Sequence, residues 1–333
     1  MKLLRYILLP IVPIYCSVSW LRNKLYDIGW LSSQSYDIPI ICVGNLSVGG
    51  TGKSPMIEYL TRLLKVDYSI AILSRGYKRQ SSGFKLADKY ASVAMLGDEP
   101  FQFYKKFEDV LVSVDADRQN GIAQLQRLNT PPEIVLLDDA FQHRKVKAGL
   151  NILLTSFNAL YVNDFCLPTG NLREPGSGAD RADIIVVTKC PRSLNETDRE
   201  GVKSKLKPLK HQSVFFSFIE YADTIVSPNK TMPLKSLKDT FLLVTGIANA
   251  TPLVSYLKNC GYIFNHLNFS DHHEFTDSEI AEINVHKKVL TTEKDFWRLE
   301  GRLSTELYYL PIEIKFFEEN DFNDVVLNHL SGK

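Results

Sequence analysis

The sequence has little of what would place it in a specialised class. Only five of its 333 residues are cysteines, Cys16, Cys42, Cys166, Cys190 and Cys260. The count is odd and no two have CxxC spacing, so neither a disulfide scaffold nor a zinc site is expected, and a reducing compartment fits. Each cysteine reads as a small buried hydrophobe. Charge of one sign is also scarce. The formal net charge is +1, which leaves no global basic field to attract nucleic acid, and no such partner is expected. No repeat or low-complexity tract stands out. What remains is ordinary globular composition, 44% hydrophobic and 23% charged, in a chain long enough for two domains.

The N-terminus is the compositional anomaly. Lys2 and Arg5 precede an apolar run from Tyr6 to Leu21, and Arg22 and Lys24 follow it. A spanning helix needs about 20 apolar residues. This run is shorter, and Pro10 and Pro13 interrupt it. No small-x-small cleavage site precedes Cys16, which speaks against a signal peptide. Residues 1–30 are therefore expected to lie in a membrane interface, flanked by cations and carrying Tyr15 and Trp20. A buried N-terminal helix is the competing expectation.

Further along, short runs rich in Val and Ile alternate with helical stretches. Ile38–Val43, Ile70–Leu73, Val110–Val114, Ile134–Leu137, Ile152–Leu154 and Ile184–Val187 read as strands, with a helical pattern over Pro55–Leu64. Nearly continuous apolar runs mean strands buried on both faces, hence a parallel sheet covered by helices. Val214–Ile219, Phe241–Val244, Val289–Thr291 and Leu307–Leu310 are strand candidates of a second block. The fold class expected is α/β, with a core domain over 31–210 and a smaller C-terminal α/β domain over 211–333.

The strongest motif runs from Ile40 through Gly44-Asn45-Leu46-Ser47-Val48-Gly49-Gly50-Thr51-Gly52-Lys53-Ser54. A buried strand enters a glycine-rich turn and a helix follows. Closely spaced backbone N–H groups at a helix start cradle anions, and glycines let the backbone approach phosphate oxygens. Gly49, Gly50, Thr51 and Gly52 form the cradle, Lys53 reaches the β- and γ-phosphates, and Ser54 ligates Mg²⁺. Such a loop needs an acidic magnesium partner on a neighbouring buried strand. Ile134-Val135-Leu136-Leu137-Asp138-Asp139 supplies it; position favours Asp138 as ligand, with Asp139 nearby. Thr188-Lys189-Cys190-Pro191 lacks the aspartate of a guanine reader, which favours ATP. The fold is thus expected to be that of a P-loop NTPase.

Further clusters lie where strand C-termini are expected, the ligand edge of an open α/β sheet. They are Ser74-Arg75-Gly76-Tyr77, Gly97-Asp98-Glu99-Pro100, Asp115-Ala116-Asp117-Arg118, Asp138-Asp139-Ala140-Phe141-Gln142-His143-Arg144 and Leu172-Arg173-Glu174-Pro175. With Thr245-Gly246-Ile247-Ala248-Asn249, Phe269-Ser270-Asp271-His272-His273 and Thr291-Thr292-Glu293-Lys294-Asp295, the chain resembles the tetraacyldisaccharide 4′-kinase (lipid A 4′-kinase) family over nearly its whole length. The family usually has Thr at Ser54, Gly at Ala140 and Pro at Ser270. Ser54 keeps the hydroxyl that magnesium needs.

The resemblance implies a peripheral or monotopic enzyme on the cytoplasmic face of a bacterial inner membrane. Its acceptor would be a tetraacylated glucosamine disaccharide 1-phosphate, its donor ATP with Mg²⁺. It also implies a dyad of Asp98 and His272, the latter from the C-terminal domain, with the proton on either member. Arg173 would offset charge on the moving phosphoryl group, and Glu174 would assist at the metal. Tyr77, Arg118, Gln142 and His143 are candidates for holding the acceptor or nucleotide, with Gln142 on the nucleotide side. Two other readings compete. One is a membrane-associated ParA-like switch ATPase, although Val48 stands where its signature lysine would be. The other is a soluble small-molecule kinase whose N-terminus is core.

Overall fold

The apolar runs fold as strands because their side chains are covered on both faces. In the computed structural model, which describes residues 5–228, 230–237 and 239–332, they make two sheets. Lys2, one of the cations before the apolar run, lies outside the described residues.

The first sheet holds β1 (Ile40–Asn45), β2 (Ile70–Ser74), β3 (Lys85–Leu86), β4 (Leu111–Val114), β5 (Ile134–Asp138), β6 (Leu150–Ser156), β7 (Ile184–Thr188) and β8 (Ser213–Tyr221). The second holds β9 (Thr224–Ser227), β10 (Lys230–Pro233), β11 (Phe241–Thr245), β12 (Phe264–Asn268), β13 (Lys288–Thr291) and β14 (Glu306–Tyr309). The last strand, β15 (Ile312–Phe316), returns to the first sheet, whose order is β15-β8-β7-β6-β1-β5-β2-β4-β3. Its interior is parallel, and only the edge strands β3 and β15 run antiparallel to their neighbours. Strand β1 pairs with β5 on one side and β6 on the other. The order reverses there, and the crevice beyond those strand ends is where open α/β sheets bind ligands.

Domain limits differ from the sequence reading. The boundary expected near residue 210 falls after β8, and the chain re-enters the first unit at β15. Ile314 and Phe316 are buried there with Phe322 and Val326 of the last helix, Glu319–Leu330. The return is hard to see in sequence because Ile312–Phe316 alternates apolar and charged residues, as an antiparallel edge strand does.

Four helices position the site: α1 (Val12–Asp27), α2 (Lys53–Leu64), α3 (Asp98–Lys106) and α4 (Glu293–Leu299). Helix α3 has Asp98 and Glu99 in its first turn and Lys105 and Lys106 in its last, which matches the helix dipole. It packs on α4 across the two units. Phe101 meets Trp297 edge-on, and Lys106 Nζ lies 2.7 Å from both Glu58 of α2 and Glu293 of α4. One cation serves two buried carboxylates. Burial and the Glu58 charge push the Glu293 carboxyl up to about 7.

Helix α1 has no fully buried residue, but Val12, Tyr15 and Cys16 are half-buried against the core, so it packs on the body by one side. Ile14, Val18, Trp20 and Leu21 are exposed, as are Ile7 and Ile11 in the 3-10 turn Tyr6–Ile11 before it. No helix among the described residues is long and apolar enough to cross a membrane. The cysteine reading needs correction at one pair. Cys16 on α1 and Cys166 form a disulfide, 150 residues apart in sequence with Cα atoms 6.2 Å apart. Spacing could not show it, because the pairing depends on α1 folding back onto a distant loop. Cys42 and Cys190 are buried as expected, and Cys260 is exposed.

Candidate active site

The phosphate loop forms where β1 ends and α2 begins. Gly49 and Gly52 adopt φ of +111° and +92°, a region that side chains disfavour. The loop is braced from several directions. Asn45 Nδ2 donates to Thr51 Oγ1 at 2.9 Å, Thr188 Oγ1 to the Thr51 carbonyl at 2.7 Å, and Lys189 Nζ to the Gly50 carbonyl at 2.5 Å. Val48 N–H donates to the Asn171 carbonyl at 2.7 Å, which ties the loop to the segment carrying Arg173. Lys53 and Ser54 are the first two residues of α2, and Lys53 Nζ lies 3.7 Å from Asp139 Oδ1.

Strand β5 brings Asp138 alongside β1, in register with Val43. Asp138 is buried; Oδ2 accepts from Ser74 Oγ at 3.0 Å, and Oδ1 has no protein partner. Burial, then the charges of Glu99 and Asp139, push its carboxyl up to about 7 against the pull of Lys53. Asp139 follows at φ +48°, a strained position for a residue with a Cβ. Burial works against its ionisation, but Lys53 and Arg173 hold its carboxyl below the usual range. A buried, half-unsatisfied carboxylate beside a second carboxylate and the Ser54 hydroxyl is a hard-oxygen donor set that fits Mg²⁺. No group of three His, Cys, Asp or Glu side chains among the described residues makes a ready cage.

Arg173 sits beside the phosphate-loop lysine's partner, with Nη1 2.8 Å from Asp139 Oδ1. Glu174 has a different task from the one expected. It is buried; Oε1 accepts from Arg181 at 2.8 Å and Gln142 at 3.0 Å, and Oε2 from Asn23 at 2.5 Å and Arg181 at 3.0 Å. With both oxygens doubly engaged it orients neighbours instead of facing a metal. Gln142 Nε2 also donates to the Asn45 carbonyl at 2.9 Å, which joins this network to the phosphate loop. Arg118, expected near the acceptor or nucleotide, is buried beneath the Asp138–Asp139 turn. Its guanidinium donates to the Ala116 carbonyl at 3.1 Å and reaches the Asp139 carbonyl at 3.4 Å. Burial lowers its pKa. His143 is half-buried with Nε2 3.9 Å from Asp117, and burial and Arg118 bring its pKa down to about 4.

The second half of the site is made across the two units. Gly97, at φ +90°, packs so tightly that a Cβ would fall 2.8 Å from the Tyr77 carbonyl. That contact fixes the start of α3 and aims Asp98 at His272, which sits at φ +57° after β12. His272 Nδ1 lies 2.8 Å from Asp98 Oδ2. Arg298 of α4 grips the same carboxylate in a fork, with Nε 3.0 Å from Oδ1 and Nη2 on Oδ2. Burial opposes ionisation of Asp98, but hydrogen bonds from His272 and Arg298 hold it far below the usual range. An ionised Asp98 accepts from the Nδ1–H of His272, while Arg298 Nη2 lies 3.1 Å from the same nitrogen. Lys294 Nζ lies 3.0 Å from Nε2. Tyr77 stands edge-on to the imidazole, with ring centroids 5.5 Å apart.

Lys53, Asp139 and Arg173 are thus brought together, as are Asp98 and His272, and further residues at these places carry no sequence expectation. Glu99 and Lys294 lay inside quoted motifs but had no assigned role; Lys294 Nζ is 3.8 Å from Glu99. Lys189 was weighed only as part of a failed guanine reader. Arg298, Arg181 and Asn23 stand outside every motif, and their roles depend on long-range contacts that leave no local signal.

Comparison with known proteins identifies relatives along nearly the whole chain. The family model of tetraacyldisaccharide-1-P 4′-kinase matches residues 4–331. The tetraacyldisaccharide 4′-kinase of Flavobacterium johnsoniae is 51% identical, over 98% of this chain and 96% of that one. That of Bacteroides thetaiotaomicron is 42% identical, over 97% and 92%. The crystal structure of LpxK from Aquifex aeolicus in complex with ATP superposes with a TM-score of 0.81 at 33% identity, covering 98% of this chain and 99% of that one. With the match running over nearly the full length of the chain and of its relatives, the chain belongs to the tetraacyldisaccharide 4′-kinase family.

Proposed function

We propose that this cleft moves the γ-phosphoryl group of ATP to the 4′-hydroxyl of a tetraacylated glucosamine disaccharide 1-phosphate held at a membrane surface. One observation carries the reading. Asp98 and Glu99 are consecutive residues at the start of α3; the first holds His272, and the charge of the second acts on Asp138. The proton-accepting group and the phosphate-binding half therefore share a wall.

In this reading the N–H groups of Gly49–Ser54 and the Lys53 ammonium hold the triphosphate. Asp138 and Ser54, with Asp139 beside them, would hold magnesium, which would supply charge withdrawal at the phosphoryl oxygens. Arg173 faces the same charge. A sugar hydroxyl is a weak nucleophile near neutral pH, and a positioned base contributes about 10²–10⁴-fold. His272 Nε2 is that base, since both Asp98 oxygens are committed to Arg298 and the imidazole. The acceptor hydroxyl replaces the Lys294 ammonium at Nε2 and gives up its proton there. Its oxygen bonds to the γ-phosphorus as the bond to the β–γ bridging oxygen breaks, and ADP leaves. Asp98 stabilises the imidazolium that forms.

The apolar face of α1 and the turn before it suit a lipid surface. Exposed Ile7, Ile14, Val18 and Trp20 sit between Arg5 and the Arg22–Lys24 pair, a pattern that favours an interface bearing anionic lipid. Phe165 and Val162, also exposed, add apolar area on the loop that Cys166 ties to α1.

Incubation with γ-labelled ATP and the disaccharide acceptor, followed by mapping of the labelled position, tests the reading. Label on the 4′-oxygen, with ATP consumption dependent on acceptor, is expected. ATP hydrolysis that proceeds equally without acceptor and labels no lipid would instead indicate a switch ATPase.

A further inference from the structure

Helix α1 does more than present an apolar face. Its opposite side touches the phosphoryl-transfer machinery at four places. Tyr15 Oη donates to the Arg173 carbonyl at 2.9 Å. Asn23 Nδ2 donates to Glu174 Oε2 at 2.5 Å. Arg22 donates to the Gln142 carbonyl at 3.0 Å. Arg144 follows His143 in the Asp138–Arg144 run. It grips the end of the helix, with Nη1 2.8 Å from the Asn23 carbonyl and Nη2 2.8 Å from Asp27. These contacts span 120 to 158 residues of sequence and converge on Gln142, Arg173 and Glu174.

We propose that Asn23, seconded by Tyr15, is a positioning residue for phosphoryl transfer, so that the helix meeting the lipid also sets the catalytic clamp. The inference rests on the kinase reading above. Its argument is geometric. Glu174 orients Gln142 and Arg181, and Gln142 in turn holds the Asn45 carbonyl at the root of the phosphate loop. A buried carboxylate keeps one orientation only while each oxygen has its donors. Asn23 is the donor to Oε2 that comes from outside the α/β core, and its amide must present N–H to a carboxylate. Arg144 fixes its backbone from the other side. Tyr15 holds the carbonyl of Arg173, the residue facing the transferred charge. Seating of α1 is thereby coupled to the geometry of two site residues that it does not share a domain element with.

Phosphoryl transfer to acceptor in phosphatidylethanolamine–phosphatidylglycerol vesicles tests this with full-length Asn23→Ala and Asn23→Asp. Removing the donor misplaces the clamp, and setting a carboxylate of the same size against Glu174 displaces it further. kcat should fall about 10-fold for Asn23→Ala and about 100-fold for Asn23→Asp. KM for ATP should stay within about threefold, because the loss is in transition-state alignment. Vesicle sedimentation should match wild type, and both variants should stay fully folded at the assay temperature by circular dichroism, with any fall in melting temperature smaller than the fall in kcat requires. Asn23→Gln, which keeps an N–H donor, should recover part of the rate. The inference is overturned if both variants keep kcat within twofold, if the isosteric Asn23→Asp is the milder change, or if lost activity tracks lost vesicle binding or lost stability. Wild type run alongside separates the two claims. A wild-type enzyme that labels no glycolipid overturns the kinase reading and this inference with it, whereas active wild type with unaffected variants overturns the inference alone.

Discussion

The two halves of the site are built on different principles. The phosphate half is local: a strand, a seven-residue turn and the first turn of a helix, completed by the strand next door. Its key groups follow from backbone geometry, which glycine and a helix terminus impose wherever they occur together. The dyad half is assembled from residues 174 positions apart and depends on Arg298, Lys294 and the α3–α4 contact to keep it formed. The first half lies within the first unit, whereas the second is made of contacts between the two units.

The contrast can be broken or sharpened experimentally. The largest effect is expected for Lys53→Ala, which removes the cation at the start of α2, next to the glycine turn. It should lower kcat/KM by about 10²–10³-fold while leaving the circular dichroism spectrum unchanged; near-normal turnover would remove the phosphate half from the mechanism. Arg298→Ala should affect only the other half. Loss of the fork on Asp98 should cost about 10–100-fold in kcat with nucleotide affinity retained, as read by calorimetry. Arg298→Lys keeps charge but not the fork, so it should recover only part.

Metal binding should carry the signature of Asp138. Its carboxyl, pushed up to about 7, is protonated below that pH and must release its proton to ligate magnesium. Apparent Mg²⁺ affinity in the presence of nucleotide should therefore weaken about tenfold per pH unit below about 7 and level off above it. A titration flat from pH 5.5 to 8 would place the ion elsewhere.

The smallest effect concerns the contact between units. Glu293 is raised in the folded protein to about 7 from an ordinary 4.5, so the folded state binds that proton more tightly than the unfolded chain. The stability this group contributes is full below about 4.5 and is lost as pH rises through about 7. Glu293→Gln should flatten that fall, so that its melting temperature exceeds that of wild type by about 2–4 °C at pH 8 with little difference at pH 5. An unchanged slope would mean that Lys106 satisfies both carboxylates.

Much of this was legible in the chain. The strands of the parallel core were visible because burial on both faces makes them nearly all apolar, as Ile40–Val43 and Ile134–Leu137 show. The strands that were not visible are those whose surroundings break that rule. Phe264–Asn268 is a polar-laced edge strand, and Ile312–Phe316 is an alternating one that pairs far from its neighbours in sequence. Lys53, Ser54 and Asp138 could be read from residues alone, since their chemistry is tied to local geometry. Asp98 and His272 could be paired only through resemblance to a family, and the structure then supplied the contact. Glu174 and Arg118 were placed at the right edge with the wrong partners, because motif membership says where a residue is but not which way its charge is spent. Arg298 and Asn23 were beyond reach, since nothing next to them in sequence marks them.

The most direct test of the central claim is a single-turnover double-mutant cycle on Asp98 and His272 with saturating ATP and acceptor. If the carboxylate works only through the imidazole, Asp98→Ala, His272→Ala and the double variant should share nearly the same residual rate. Losses that multiply fully in the double variant would show two independent groups and contradict the account.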